Sequence, residues 1–115
     1  MVDLDCIDFA AVEEGAGRAA ALLKLLANER RLLMLCQLAG GELSVGALQA
    51  RLGQSQTALS QSALSQHLAL LREQGLVATR RESQTIYYRI ADTAALRVIQ
   101  TLAELFCPPD QGNAP

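Results

Sequence analysis

Residues 59–81, LSQSALSQHLALLREQGLVATRR, constrain the fold more than any other part of the sequence. Between residues 60 and 74, leucines recur at the three- and four-residue spacing that marks one face of an amphipathic helix: Leu64, Leu68 and Leu71. Gly75 can adopt the positive φ that ends a helix, so we expect this one to stop there. Such a helix buries its leucine face against other elements and leaves the opposite face free.

The opposite face of this helix carries short polar side chains and no long charged one. Gln can pair with an adenine edge and Ser with donor or acceptor edges in the major groove of DNA. We therefore predict that this segment, the reading helix, contacts bases or phosphates through Gln61, Ser62, Ser65 and Gln66. His67 lies beside the leucine face by helical angle, which favours packing or a contact with backbone phosphate over metal binding.

The rest of the chain predicts helices on both sides of the reading helix and a β-hairpin after it. Earlier helices are expected at residues 9–27, 29–39 and 45–52, the last two capped by Asn28 and Ser44, and a final helix at 93–106, capped by Asp92. The runs 76–81 and 85–90 predict a hairpin, and because its tip lacks Gly, we expect a loop longer than two residues. The fold class is therefore mainly α with a β-hairpin wing, a winged helix-turn-helix.

The sequence, 115 residues long, predicts a single domain over residues 9–107. Residues 1–8 are expected to form a flexible acidic N-terminus and residues 108–115 a disordered tail. The apolar faces of the first and last helices have no obvious partner in so small a domain. We therefore predict a two-fold homodimer that forms through these two helices.

A tandem repeat, SQTAL followed by SQSAL, separates the third helix from the reading helix. A helix-turn-helix normally needs a turn of only three or four residues. Residues 54–58 therefore either loop out or lengthen the reading helix at its N-terminus by about one and a half turns. The lengthened helix is favoured because the insert holds no Pro or Gly.

The charge distribution favours a DNA partner although the formal net charge is −2. Acidic residues dominate residues 1–14, whereas arginines gather around the reading helix and the wing. We expect Arg80, Arg81 and Arg89 to approach phosphates or the minor groove of double-stranded DNA. No apolar run reaches the roughly 18 residues of a membrane span and no basic signal start is present, so we expect a cytoplasmic protein without a membrane partner.

The three cysteines, Cys6, Cys36 and Cys107, are expected to be reduced in the cytoplasm. By position alone, Cys36 and Cys107 resemble the small buried hydrophobes that many cytosolic cysteines are, and Cys6 has no predictable partner. One His in the chain makes a poor zinc site, so no metal or other cofactor is predicted. Without Cys-x-x-Cys, a nucleophile–base pair or a glycine-rich phosphate loop, the sequence does not favour an enzyme.

Four segments resemble the ArsR/SmtB family of dimeric winged-helix repressors: ALLKLLANERRLLMLCQL, ELSVGALQARLG, LSQSALSQHLALLREQGLV and RRESQTIYYRI. The pair Cys36 and Cys107 is similar to the persulfide-sensing branch, with its biofilm growth-associated, sulfide:quinone oxidoreductase and HlyU regulators. The resemblance implies a repressor that binds operator DNA when reduced. It also implies release when reactive sulfur species join Cys36 to Cys107 through a polysulfide bridge or a disulfide.

Three alternatives remain open from the sequence. A general disulfide switch would use the same two thiols without selecting sulfur species. A metal-responsive repressor of the same family is disfavoured, because the arsenic type has Cys-Val-Cys where this chain has Ser44-Val45-Gly46. A winged-helix protein-interaction module without DNA binding is the third, because the insert at residues 54–58 departs from the family pattern, which has one copy of the repeat.

Overall fold

A computed structural model describes residues 8–53 and 60–107, and within them five helices and three strands. In chain order these are α1 (Phe9–Leu26), α2 (Glu29–Ala39), β1 (Leu43–Ser44), α3 (Val45–Leu52), α4 (Gln61–Glu73), β2 (Val77–Glu82), β3 (Thr85–Ile90) and α5 (Thr93–Phe106). The order is the predicted winged helix-turn-helix, in which α3 and α4 form the helix-turn-helix and β2 and β3 the wing. Apart from Asp8, the predicted flexible N-terminus and tail lie outside the described residues.

Three helices, α2, α3 and α5, begin directly after residues whose side chains cap the first turn. Oδ1 of Asn28 accepts a hydrogen bond from the Arg31 amide at 3.0 Å, and Oγ of Ser44 accepts one from the Ala47 amide at 3.1 Å. Asp92 does the same for α5 at 2.9 Å. Each bond satisfies an amide that the first turn of a helix leaves unpaired, and the predicted starts of α2, α3 and α5 are confirmed.

The reading helix is shorter at its N-terminus than the sequence predicted. Ser60 has an extended backbone (φ −66°, ψ 160°), and its side chain accepts a hydrogen bond from the Ala63 amide. A capping residue with this backbone cannot continue a helix, so α4 begins at Gln61 and the predicted lengthening across Ser60 is wrong. Residues 54–58 lie outside the described residues. At the other end, Gly75 has the predicted positive φ, +82°.

The predicted long loop at the wing tip is also wrong. Glu82 pairs with Thr85, which leaves only Ser83 and Gln84 in the turn. Ser83 adopts φ +60° although it is not a glycine. A positive φ at the first turn position alone is the pattern of a type II′ turn, whose twist suits the two strands.

The core lies between α2, α3, α4 and α5, under the sheet. The three predicted leucines of α4 are almost fully buried, with exposures of 0, 1 and 0% for Leu64, Leu68 and Leu71. The sheet is antiparallel with the order β1-β3-β2, so β3 is its central strand. This arrangement fixes the leucine face of α4 inward and its polar face outward.

The first and last helices keep exposed apolar side chains within the described part of the chain. Leu26 is the buried residue of α1. Phe9, Val12 and Leu23 of α1, and Leu105 and Phe106 of α5, remain exposed. None of the helices in residues 8–53 and 60–107 is long and apolar enough to cross a membrane.

Candidate functional site

The polar face of α4 is open to solvent. Each of the four residues predicted for base or phosphate contact is exposed: Gln61, Ser62, Ser65 and Gln66. The buried leucines orient this face, because residues on opposite sides of a helix are fixed relative to each other. The side chains that can read base edges therefore share one accessible surface.

A groove of about 530 Å³ joins this surface to the wing. Gln61 and Ser65 of α4 line it on one side, and the wing tip, Gln84 to Ile86, on the other. Residues 44–46 at the start of α3 complete it. The wing tip and the start of α3 are not predictable as part of this surface from the sequence, because the three segments come together only in the folded chain.

Arg80 is held in an ion-pair cluster on the wing. Its Nε lies 3.1 and 3.0 Å from Oε1 and Oε2 of Glu42, and its Nη2 lies 2.7 Å from Oε1. Nη1 donates to Glu82 Oε2 at 2.8 Å, and the guanidinium carbon lies 4.7 Å from the Tyr87 ring centroid. The hydrogen bonds from Arg80 hold the pKa of Glu42 below its ordinary value, and the charge of Arg89 adds to this effect. Arg80 is exposed, but each nitrogen of its guanidinium already donates a hydrogen bond to a carboxylate.

The other two wing arginines have different surroundings. Nε of Arg81 donates to the Ser83 carbonyl at 3.1 Å at the wing tip. Arg81 pairs across the strands with Ile86, whereas Arg89 pairs with Ala78. Because cross-strand partners share a face, Arg81 and Arg89 lie on opposite faces of the wing. The three predicted phosphate contacts are thus not equivalent.

His67 is half-buried and faces positive charge. Burial lowers its pKa, and the charges of Arg31 and Arg30 lower it further. Arg31 also donates from Nε to the Leu25 carbonyl at 2.7 Å and from Nη2 to the Lys24 carbonyl at 3.3 Å, at the C-terminal end of α1. The sequence does not predict that charges of α2 act on His67. Its partial burial is compatible with packing, one of the two roles expected for it, and a contact with backbone phosphate stays a prediction.

Replacing His67 should make stability less sensitive to mildly acidic pH. The folded pKa is depressed, so the unfolded chain binds more protons and the protein loses stability as the pH falls below the ordinary value of about 6.5. His67 is the single histidine of the chain. In urea unfolding at pH 7.5 and 5.5, His67→Gln should lose less stability between the two than the wild type. An equal loss in both proteins would contradict the assignment.

Cys36 and Cys107 line the same two cavities between α2 and α5. Cys36 is half-buried on α2, and Cys107 is exposed at the C-cap of α5; both are free thiols. Together they line a cavity of about 460 Å³ with Gln100 and Glu104, and an apolar one of about 240 Å³. The apolar cavity is lined mainly by Leu32, Leu33, Leu102 and Phe106.

Each thiol lies within range of the other's charge. Burial raises the pKa of the Cys36 thiol, and the negative charge of the Cys107 thiolate raises it further. Cys36 is therefore mostly protonated at neutral pH, while Cys107 lies open to solvent. Within residues 8–53 and 60–107, no three His, Cys, Asp or Glu side chains are placed to hold a metal ion.

Comparison with known proteins identifies the family. Residues 28–79 match the sequence profile of the bacterial regulatory proteins of the arsR family. The transcriptional activator HlyU of Vibrio cholerae is 50% identical over 100 residues, which cover 87% of this chain and 88% of HlyU. The chain belongs to the ArsR family. A second family member, the biofilm growth-associated repressor of Agrobacterium fabrum, is 44% identical over 110 residues, 96% of this chain and 90% of the repressor.

Solved structures of ArsR-family regulators share the fold. Reduced HlyU from Vibrio cholerae has a TM-score of 0.76 at 50% identity and covers 84% of this chain and 97% of its own. The repressor BigR from Xylella fastidiosa has a TM-score of 0.76 at 38% identity and covers 87% and 94%. The predicted family and winged-helix fold are confirmed, and this ArsR-family chain is a DNA-binding transcriptional regulator.

Proposed function

We propose that this ArsR-family regulator is a homodimeric repressor that holds operator DNA while its thiols are reduced and leaves it when sulfane sulfur bridges Cys36 and Cys107. The observation that carries the proposal is the pair of free thiols on α2 and α5, which share two cavities. Of the relatives, HlyU has been solved in a form described as reduced. The exposed polar face of α4 supplies the DNA-reading surface.

The homodimer follows from the uncovered apolar side chains of α1 and α5, including Phe9 and Phe106, which are both 74% exposed. A second copy that covers both helices would bury these rings and bring two reading helices to one side of DNA. Two-fold winged-helix dimers place such helices about 34–36 Å apart, one turn of DNA. A palindromic operator is expected for this geometry.

The bridging chemistry uses the accessibility of Cys107. Its thiolate attacks the inner sulfur of an organic trisulfide, RS–S–SR, expels RS⁻ and becomes Cys107–S–S–SR. The Cys36 thiolate then attacks the sulfur bound to Cys107 Sγ, expels the second RS⁻ and leaves Cys36–S–S–S–Cys107. Both protein thiols lose a proton, the trisulfide is the oxidant, and two RSH are released. An added sulfur can span a gap that is too wide for a disulfide.

The bridge would act on DNA through helix position. It joins α2, which carries part of the core, to α5, one of the helices expected to hold the dimer. A change in their relative position would tilt the two reading helices and spoil both sets of contacts. Because both reading helices must fit the operator at once, a small rotation would suffice for release.

Binding to a pool of palindromic duplexes, followed by fluorescence anisotropy over a series of salt concentrations, tests the proposal. Reduced protein should bind, with log K falling linearly with log salt by about 0.9 per phosphate contact. A trisulfide should weaken binding about 5- to 150-fold and should add one sulfur to the intact mass with loss of two hydrogens. Release by hydrogen peroxide as well would indicate a general disulfide switch. Absence of binding by the reduced protein would contradict the proposal and favour a protein-interaction module.

A further inference from the structure

We propose that Arg80 is a positioning residue that fastens the wing to the helix-turn-helix, and that its neighbour Arg81 supplies the wing's contact with DNA phosphate. The inference rests on the proposed DNA binding and assigns separate roles within that surface. In the sequence the two arginines are adjacent cations of one basic segment, and nothing distinguishes them. The structure separates them by face and by partner.

Every guanidinium nitrogen of Arg80 already donates to a carboxylate, so a phosphate would have to compete with these ion pairs. Nε and Nη2 form a bidentate pair with Glu42, Nη1 is bonded to Glu82, and the guanidinium lies over Tyr87. A phosphate could offer Arg80 the same planar two-point geometry but no better one. Its capture would leave the carboxylates of Glu42 and Glu82 unpaired beside a DNA backbone. The existing pairs are therefore retained when DNA binds.

The Arg80–Glu42 pair crosses the sheet. Arg80 lies on the outer strand β2 and Tyr87 opposite it on the central strand β3. Glu42 directly precedes β1, on the far side of β3, where Leu43 pairs with Tyr88. The Arg80 side chain thus passes over the Tyr87 ring and ties the wing to the segment that leads into α3. This contact sets the angle between the wing and the helix-turn-helix.

The outer face of the wing is balanced in charge. Glu42 and Glu82 contribute two negative charges, and Arg80 and Arg89 two positive ones. Glu42 responds to both arginines, since each of them lowers its pKa. A face with no net charge adds little to the attraction of phosphates.

Arg81 lies on the other face, toward the reading helix. Its cross-strand partner Ile86 lines the groove that Gln61 and Ser65 also line. Nε of Arg81 is bonded to the Ser83 carbonyl, and its terminal nitrogens make no hydrogen bond to the described residues. The guanidinium thus keeps free donors at the wing tip, beside the surface that meets the bases.

Salt-dependent binding of reduced protein to its duplex tests both roles, with Arg81→Gln, Arg80→Gln, Arg80→Lys and Glu42→Gln. Arg81→Gln should reduce the steepness of log K against log salt by about 0.9 per protomer. Arg80→Gln should leave this slope unchanged and weaken binding about threefold to fivefold. Arg80→Lys should weaken binding similarly, because Lys keeps the charge but cannot form the bidentate pair.

The effect of Glu42→Gln on DNA affinity differs in sign between the two possible roles of Arg80, a positioning residue or a phosphate contact. If Arg80 positions the wing, the variant should bind more weakly although it has lost a negative charge, and combining it with Arg80→Gln should add no further loss. The control Glu73→Gln removes an exposed carboxylate on α4 that has no ion pair in the described residues, and it should not weaken binding.

Two results would overturn the inference. Tighter binding and a steeper salt dependence in Glu42→Gln, with a shallower one in Arg80→Gln, would make Arg80 the phosphate contact. An unchanged slope in Arg81→Gln would remove its assigned role. Circular dichroism and thermal unfolding would verify that each variant is folded. A wild-type protein that binds no duplex at any salt concentration would contradict the proposed function itself, and with it the wing assignment.

Discussion

Cys36→Ser protein should bind operator duplex as tightly as the wild type and should keep it after treatment with a trisulfide. The hydroxyl is close in size to the half-buried thiol, so the packing between α2 and α5 changes little. Without the second thiol, Cys107 stops at the mixed polysulfide and no bridge forms. Wild-type affinity should fall about 5- to 150-fold under the same treatment, the usual range for coupling between two sites.

Anisotropy with the same duplex, before and after treatment, measures this difference. Cys107→Ser should behave like Cys36→Ser, since a bridge needs both sulfurs. Cys6→Ser is the matched control, because Cys6 has no assigned role, and it should be released as the wild type is. Release of Cys36→Ser from DNA by a trisulfide would contradict the bridging mechanism and leave the DNA-binding assignment intact.

Leu71→Ala should destabilise the fold by about 2–5 kcal/mol. Leu71 is fully buried and is one of three leucines that hold α4 on the core. Truncation removes apolar contacts and leaves a cavity under the reading helix. Domains of this size are stable by about 5–15 kcal/mol in total, so the loss is a large part of the whole.

Urea unfolding at neutral pH would measure the free energy directly. Leu71→Met is the matched control, because it keeps the volume and should cost less than about 1.5 kcal/mol. If Leu71→Ala loses no more unfolding free energy than the control, the leucine face does not hold α4 on the core as described. The binding free energy of the folded protein for DNA should change less than its unfolding free energy, because Leu71 does not face the groove.

Local chemistry explains which parts of the fold the sequence predicts. The starts of α2, α3 and α5 depend on a capping side chain three residues before its partner amide, and such pairs are visible in sequence. The inward face of α4 follows from periodicity alone. The wing tip does not, because Ser83 takes a positive φ that is usually assigned to glycine.

The candidate site is harder to predict from the sequence than the fold, because its contacts join residues that are far apart in the chain. Glu42 and Arg80 are 38 residues apart, and nothing near either one indicates the pair. The same holds for His67, whose pKa is lowered by burial and by the charges of Arg31 and Arg30 on α2. The sequence suggests a buried Cys36, but only the packing of α5 on α2 brings Cys107 into the same cavities.

The attachment of α1 has a mechanical consequence. This helix of 18 residues is about 27 Å long, and both its buried residue, Leu26, and the hydrogen bonds from Arg31 lie at its C-terminal end. A rod fixed at one end magnifies rotation, so a turn of about 10° at the Arg31 attachment displaces Phe9 by about 5 Å. Small rotations around α2 would therefore shift the N-terminal end of α1, which is the part that a second copy would cover in the proposed dimer.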